Sequence, residues 1–143
     1  MADNSSPLNQ STLYNQEAEA SVLGSIIIDT DALVKIADKI SSEDFYEERH
    51  ARIYDAIFTL YEERKAIDIL TIVNQLKIRG HLEVAGGAGY LTELTNFVPT
   101  AAHVETYATL VVEKAVRRRL SAINKEIANL VMDESKQLKD LIE

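Results

Sequence analysis

Apolar side chains recur along most of this chain at the three- and four-residue spacing of an α-helix. In the segment 17–28, for example, Ala20, Leu23 and Ile27 fall on one line of a helix. No segment alternates apolar and polar residues between hairpin turns, so we predict no strands. The pattern predicts an all-α fold with a compact head of about six short helices over residues 15–99. The later helical segments lie near 33–40, 47–61, 69–76 and 90–97.

Residues that cap or break helices separate these segments. Asp68 can accept a hydrogen bond from the first amides of the helix that follows it, and Gly80 is placed to end that helix in the left-handed conformation. The glycine-rich stretch 86–89 is predicted to be a loop, and Pro99 stops the next helix. Residues 1–14, rich in Asn, Ser and Gln, are predicted to form a mobile arm.

The last third of the chain, residues 100–143, is predicted to form a helical hairpin. No glycine or proline occurs from Ala101 to Met132, which permits one helix of about 45 Å. Two apolar seams run along it, and the step between them turns the buried face by about 100°. We therefore expect the first seam to pack on the head and the second to pack on a partner. The first seam is Val104, Ala108, Val111 and Ala115, and the second is Val116, Leu120, Ile123, Ile127 and Leu130.

The hairpin's second arm is predicted to begin after a turn at 133–135. Leu138, Leu141 and Ile142 have the spacing of another amphipathic helix, and the sequence ends inside it. We therefore expect a hairpin whose second arm is truncated.

Charge argues against a nucleic-acid-binding domain. The net charge is -8, and the first 50 residues carry ten acidic side chains against three basic ones. A domain that binds DNA directly normally presents a basic face. The one basic cluster is Arg117-Arg118-Arg119, whose side chains fan out around a helix. We interpret it as a solvated group with intrahelical pairing, such as Glu113 with Arg117, and a contact to an acidic neighbour as the alternative.

Motifs for catalysis and metal binding are absent from the sequence. It contains no G-x-x-x-x-G-K-[ST] phosphate loop and no cysteine, and its histidines are too far apart to form a metal-binding pair. Its purely apolar runs, such as 26–28, are at most three residues long and far too short to cross a membrane. We predict no enzyme activity and no cofactor for this fragment, and a cytoplasmic location.

An ordered series of short motifs resembles the N-terminal domain of DnaB-type replicative hexameric DNA helicases. The resemblance extends from about residue 16 to 132, and its specificity lies in the shared order and spacing. The family often has a proline where Tyr14-Asn15-Gln16 stands and an Asn at His103. The matching segments are EAEASVLG (17–24), DFY (44–46), His50 with ARIYDAI (51–57), Ile67-Asp68, GGAGYL (86–91), VPTAAHVETYA (98–108) and RRL (118–120).

The resemblance implies a non-catalytic collar above the motor ring of a bacterial-type replisome. Hairpins of neighbouring subunits would pair, giving a trimer of dimers, and the collar would dock the C-terminal helicase-binding domain of primase and a helicase loader. The motor domain, with ATP and Mg²⁺, would follow beyond residue 143. By resemblance, the residues implicated in the primase contact or in the hairpin pairing that creates it are Glu17, Tyr90, Ser121 and Ile127.

Two other functions remain open at this point. A different helical docking module, such as the helicase-binding domain of a primase, would share the fold. A small helical DNA-binding protein is disfavoured by the charge distribution.

Overall fold

The structure, a computed structural model, describes residues 13–142. The predicted mobile arm at 1–14 lies outside them except for Leu13 and Tyr14. Every regular element in 13–142 is helical, as the all-α prediction requires. The elements are α1 (Gln16–Ile28), α2 (Asp31–Ile36), a 3-10 helix (Ser42–Asp44), α3 (Glu48–Glu62), α4 (Ile69–Ile78), α5 (Gly87–Thr95), α6 (Val104–Met132) and α7 (Leu138–Ile142). We call the part from α1 to α5 the head, and residues 116–132 of α6 the projecting helix.

Side-chain caps fix where several helices begin and end. The Asn15 side chain accepts a hydrogen bond from the Ala18 amide at 2.9 Å and so caps α1. The predicted cap at Asp68 is confirmed: Asp68 and Thr71 each accept from the other's backbone amide, at 2.8 and 2.9 Å. Gly80 follows α4 with φ of 73°, which confirms its predicted left-handed conformation.

Helix α1 is the centre of the head and contacts α2, α3, α5 and α6. All its residues from Ala18 to Ile26 are buried, so this stretch has no solvent-facing side. The single apolar line through Ala20, Leu23 and Ile27 therefore accounts for only part of its buried surface. Small residues allow such close packing. Helix α5 approaches α1 so closely that a Cβ added to Gly24 would lie 2.3 Å from the Leu94 carbonyl oxygen.

The glycine-rich stretch 86–89 begins a helix, which corrects the expectation of a loop. Gly86 occupies the N-cap position of α5 with φ of 95°, and the helix starts at Gly87. A Cβ on Gly86 would also lie 2.8 Å from that of Tyr90. The glycine is therefore needed both for its backbone conformation and for the close packing of Tyr90.

Helix α6 begins at Val104, three residues after Ala101, where the sequence first permits it. The Thr100 hydroxyl accepts from the Ala102 amide at 3.2 Å, within a turn that precedes the helix. The N-cap position of α6 is His103, which makes no side-chain capping bond. Helix α5 ends at Thr95, four residues before Pro99, so the prediction that Pro99 stops that helix is wrong, although a break does separate α5 from α6.

The two seams of α6 have the environments that their positions predicted. Val104, Ala108, Val111 and Ala115 are at most 2% exposed, and the helix half that carries them packs against α1 and α2. The second seam, on the projecting helix, is exposed throughout. The expected turn at 133–135 and the start of a second arm are present, but no residue of α7 is buried.

Replacing Gly24 with Ala tests the close approach of α1 and α5. Because the new methyl group would overlap the Leu94 carbonyl, we expect the free energy of unfolding to fall by about 1–3 kcal/mol. Urea unfolding followed by circular dichroism measures the change.

Gly89→Ala is the matched control, since it adds the same methyl group inside α5 where no atom lies within 4 Å. We expect it to leave stability unchanged or raise it by about 0.5–1 kcal/mol through helix propensity. Equal effects of the two substitutions would contradict the packing argument.

Candidate protein-docking surface

The projecting helix presents an exposed apolar face. Successive helical residues turn by about 100°, so side chains spaced by three and four positions lie along one side. Soluble monomers rarely leave a contiguous apolar face open to water, which makes this one suited to packing against another protein. Its exposed fractions are Val116 44%, Leu120 61%, Ile123 51%, Ile127 54% and Leu130 38%.

The head-facing side of α6 continues about one helical turn beyond its apolar seam, from Ala115 to Arg118. Arg118 follows Ala115 at the same three- and four-residue spacing that joins Ala108, Val111 and Ala115. The side of α6 that packs on the head therefore ends in a guanidinium group, while the exposed seam starts on another side with Val116. Arg118 is partly buried, as this position requires.

Arg118 and Arg119 tie α6 to the head. One Arg118 amino group donates to the Leu13 carbonyl and the other to the Asp44 carbonyl, each at 2.8 Å. Arg119 pairs with the Asp44 carboxylate at 2.5 Å. The interpretation of 117–119 as a solvated cluster is therefore wrong for Arg118, whereas Arg119 pairs with Asp44 and still has 51% of its side chain exposed. The suggested Glu113–Arg117 pair is not among the ion pairs of the described residues.

Two stacked aromatic rings complete this junction. Tyr14 lies parallel to Tyr46, with ring centroids 4.2 Å apart, and the Arg118 guanidinium lies 5.4 Å from the centroid of the Tyr46 ring. Burial lowers the pKa of Arg118 from its ordinary value, against the opposing effect of the nearby Glu19 carboxylate. We call Leu13, Asp44, Tyr46, Arg118 and Arg119 the arginine clasp.

A buried polar network lies beside the clasp. Glu19 is 1% exposed and His50 is fully buried, and the Glu19 carboxylate lies 2.8 Å from His50 Nδ1. Glu19 also accepts hydrogen bonds from the backbone amides of Tyr46, at 2.6 Å, and Glu47, at 3.3 Å. An ionised carboxylate only accepts, so His50 Nδ1 carries a proton and donates to it.

The far side of His50 holds Tyr90 in place. His50 Nε2 lies 2.6 Å from the Tyr90 hydroxyl, so a neutral ring accepts the phenolic hydrogen. The Arg49 guanidinium lies 4.0 Å from the centroid of the Tyr90 ring. Burial raises the pKa of the Tyr90 phenol, while Arg49 acts in the opposite direction. Tyr90 is thus packed and hydrogen-bonded, with 9% of its surface exposed.

The four residues expected to face primase fall into two groups. Glu17 and Tyr90 belong to the head, the first exposed and the second buried. Ser121 and Ile127 belong to the projecting helix, where Ser121 is half-buried and Ile127 is exposed. The primase-facing role of each residue stays a prediction.

Glu17 borders a shallow groove that sequence reasoning missed. The groove has a volume of about 300 Å³, and its walls include Phe97, Tyr107 and Leu110. Phe97 is 45% exposed because α5 ends before it, although its spacing had placed it on the apolar side of that helix. Glu19 and His50 were also missed, since nothing in the spacing of two residues 31 positions apart signals contact.

Within residues 13–142, no group of histidine and acidic side chains is arranged to hold a metal ion. No helix in that range has the length and apolar character needed to cross a membrane.

Comparison with known families decides between the open interpretations. The family model of the DnaB-like helicase N terminal domain matches residues 11–113. This chain belongs to that family. The match covers α1 to α5 and the start of α6 as far as Glu113, so it includes the whole buried network but ends before Arg118 and Arg119 of the clasp.

Curated relatives of this DnaB-like domain are replicative helicases. The chain is 38% identical over 125 residues to the replicative DNA helicase DnaB of Leifsonia xyli subsp. xyli, covering 87% of this chain and 27% of that protein. It is 37% identical over 128 residues to the replicative DNA helicase DnaC of Bacillus subtilis, covering 90% and 28%. The chain thus spans about a quarter of the length of these relatives.

Solved structures show the same DnaB-like fold. The crystal structure of the N-terminal domain of DnaB helicase from Mycobacterium tuberculosis matches with a TM-score of 0.85 and 34% identity, covering 90% of this chain and 91% of that one. A DnaB-like replicative helicase, in a structure describing its interactions with primase, matches with a TM-score of 0.74 and 26% identity over 90% of this chain and 30% of the other. These relatives favour the helicase over a primase helicase-binding domain.

Replacing Tyr90 with Phe tests the buried network of this DnaB-like domain. The substitution keeps the ring but leaves His50 Nε2 buried without its hydrogen-bond partner, so we expect unfolding free energy to fall by about 1–3 kcal/mol. Chemical denaturation at neutral pH measures the change.

Tyr61→Phe removes the same hydroxyl group from a ring that is 36% exposed. We expect a change within about 0.5 kcal/mol there. A Tyr90→Phe protein as stable as this control would show that the His50 contact does not support the head.

Proposed function

We propose that this domain is a non-catalytic assembly and docking module in the N-terminal collar of a replicative DNA helicase. The observation that supports it best is the exposed apolar seam on the projecting helix. The head buries its own core, while this seam of five aliphatic side chains is left in contact with water. Soluble proteins rarely leave such a surface uncovered, which supports a protein partner at this site.

The seam has the form of a helix-pairing surface. From Val116 to Leu130 it runs about 21 Å along one side of α6, long enough for four turns of a partner helix. Its spacing alternates between four and three residues, as in coiled-coil seams. We infer that a second copy of the same helix is the main partner, which is how hairpins would pair in a trimer of dimers.

Docking of primase is the second part of the proposal. A related DnaB-like helicase is described together with its interactions with primase. In this chain, Glu17, Ser121 and Ile127 have side chains that reach solvent and are candidates for direct contact, while Tyr90 would act from beneath the surface. A helicase loader is a further candidate partner of the same collar.

We assign the ATP-driven activity of the helicase to a motor domain outside this chain. The relatives are about three times as long as this chain, and this sequence has no phosphate-binding loop. ATP and Mg²⁺ would bind in that motor domain, and the complete protein would work in the cytoplasm. The net charge of -8 supports a collar that meets proteins rather than DNA.

Ile127→Asp tests the pairing of projecting helices. A carboxylate in the middle of the seam would have to be desolvated in the interface, so we expect self-association to weaken about tenfold or more, equivalent to about 1.4 kcal/mol. Light scattering on a sizing column across a concentration series measures the mass, alone and with the helicase-binding domain of the cognate primase.

Asn129→Asp is the matched control, because it introduces the same charge about 200° around the helix from Ile127. We expect it to assemble and to bind primase as the unmodified chain does. If Ile127→Asp also kept its mass at every concentration, the seam would not be a self-association surface.

A further inference from the structure

The arginine clasp contains the last hydrogen bonds and the last ion pair between α6 and the head among the described residues. From Ala122 to Ile142 every described residue is exposed, and no hydrogen bond or ion pair joins this part to the head. The projecting helix therefore leaves the head at Arg118 and Arg119 without further support. Whatever fixes its direction must act at or before that point.

Arg118 joins three separate parts of the chain through one planar group. Its two amino groups donate to carbonyls of Leu13 and Asp44, which lie 105 and 74 positions away in the sequence. A guanidinium holds its donors in a fixed fork, so two simultaneous bonds restrict rotation of the helix that carries it. The Arg119–Asp44 pair adds a second attachment about 100° around the same helix.

Asp44, which accepts from both arginines of the clasp, is itself held by the head. The Asp44 carboxylate accepts from the Ser41 amide at 2.8 Å within a capping box. Just beyond it, Glu19 binds the Tyr46 amide from inside the head. Arg118 thus attaches α6 to a segment that α1 has already fixed in place.

We propose that Arg118 is a positioning residue that fixes the direction in which the projecting helix leaves the head. The positioning itself is argued from the contacts of Arg118. Its purpose, which is to present the apolar seam at one angle to a partner, rests on the proposed function. About 16 Å of helix separates Arg118 from Asn129, so a tilt of about 20° at the clasp displaces Asn129 by about 6 Å. Such a displacement is comparable to the spacing of neighbouring side chains along a helix face.

Spin-label distance measurement tests the proposal directly. The sequence has no cysteine, so Asn74→Cys on α4 and Asn129→Cys on the projecting helix provide the only two labelling sites. Both residues are exposed, and Asn129 lies away from the seam. Labelled protein is diluted with unlabelled protein so that double electron–electron resonance reports distances within one chain.

The comparison is between Arg118→Ala and Arg117→Ala in the doubly labelled chain. Arg117 is exposed and on a different side of the helix, so its removal should leave one narrow distance distribution like that of the parent. We expect Arg118→Ala to broaden the distribution or shift its maximum by several Å, with the head still folded by circular dichroism. A distribution that superimposes on the parent's overturns the proposal.

Arg118→Lys keeps the test decisive if the alanine variant does not fold. Lysine retains the charge but lacks the planar fork that reaches both carbonyls, so the same broadening is expected and an unchanged distribution overturns the proposal. The result of this distance measurement does not depend on the result of the Ile127→Asp experiment. Loss of self-association in that variant concerns the seam, whereas the label distance concerns the attachment of the helix to its own head.

Discussion

The carboxylate of Glu19 lies almost wholly inside the head, where leaving a charge unpaired would cost several kcal/mol. It is compensated by the backbone amides of Tyr46 and Glu47 and by the His50 ring. These bonds fix the path of the chain between the 3-10 helix and α3. That path supplies the acceptors for Arg118 and Arg119, and His50 in turn fixes Tyr90. One buried acid on the central helix therefore organises both the joint of α6 and the packing of α5.

The sequence predicted most of the helical framework because its signals are local. Apolar spacing located the helices, Asp68 and Gly80 marked the limits of α4, and the two seams of α6 separated the buried half from the exposed half. The resemblance to DnaB-type helicases, carried by the order of short motifs, is confirmed by the family comparison. The helix assignments depend on residues within a few turns of one another, whereas the resemblance depends on the order of motifs along the chain.

What the sequence could not predict depends on contacts between distant segments. Glu19 lies on a helix that is buried on every side, so its carboxylate faces the interior and binds residues far away in the sequence. Arg118 looked solvated, although it continues the head-facing seam and meets Leu13 and Asp44. The glycine-rich stretch 86–89 looked like a loop, because the demand for close packing under Tyr90 is visible only in three dimensions. The spacing of the first seam could have pointed to Arg118, had it been followed one step further.

Helix α6 keeps its folding surface and its proposed pairing surface on different residues. The side chains that complete the head end at Ala115 and the clasp, while the apolar seam from Val116 to Leu130 contributes nothing to the core. Substitutions along that seam are therefore not constrained by the packing of the head. Folding and pairing can be altered separately, at different positions of one continuous helix.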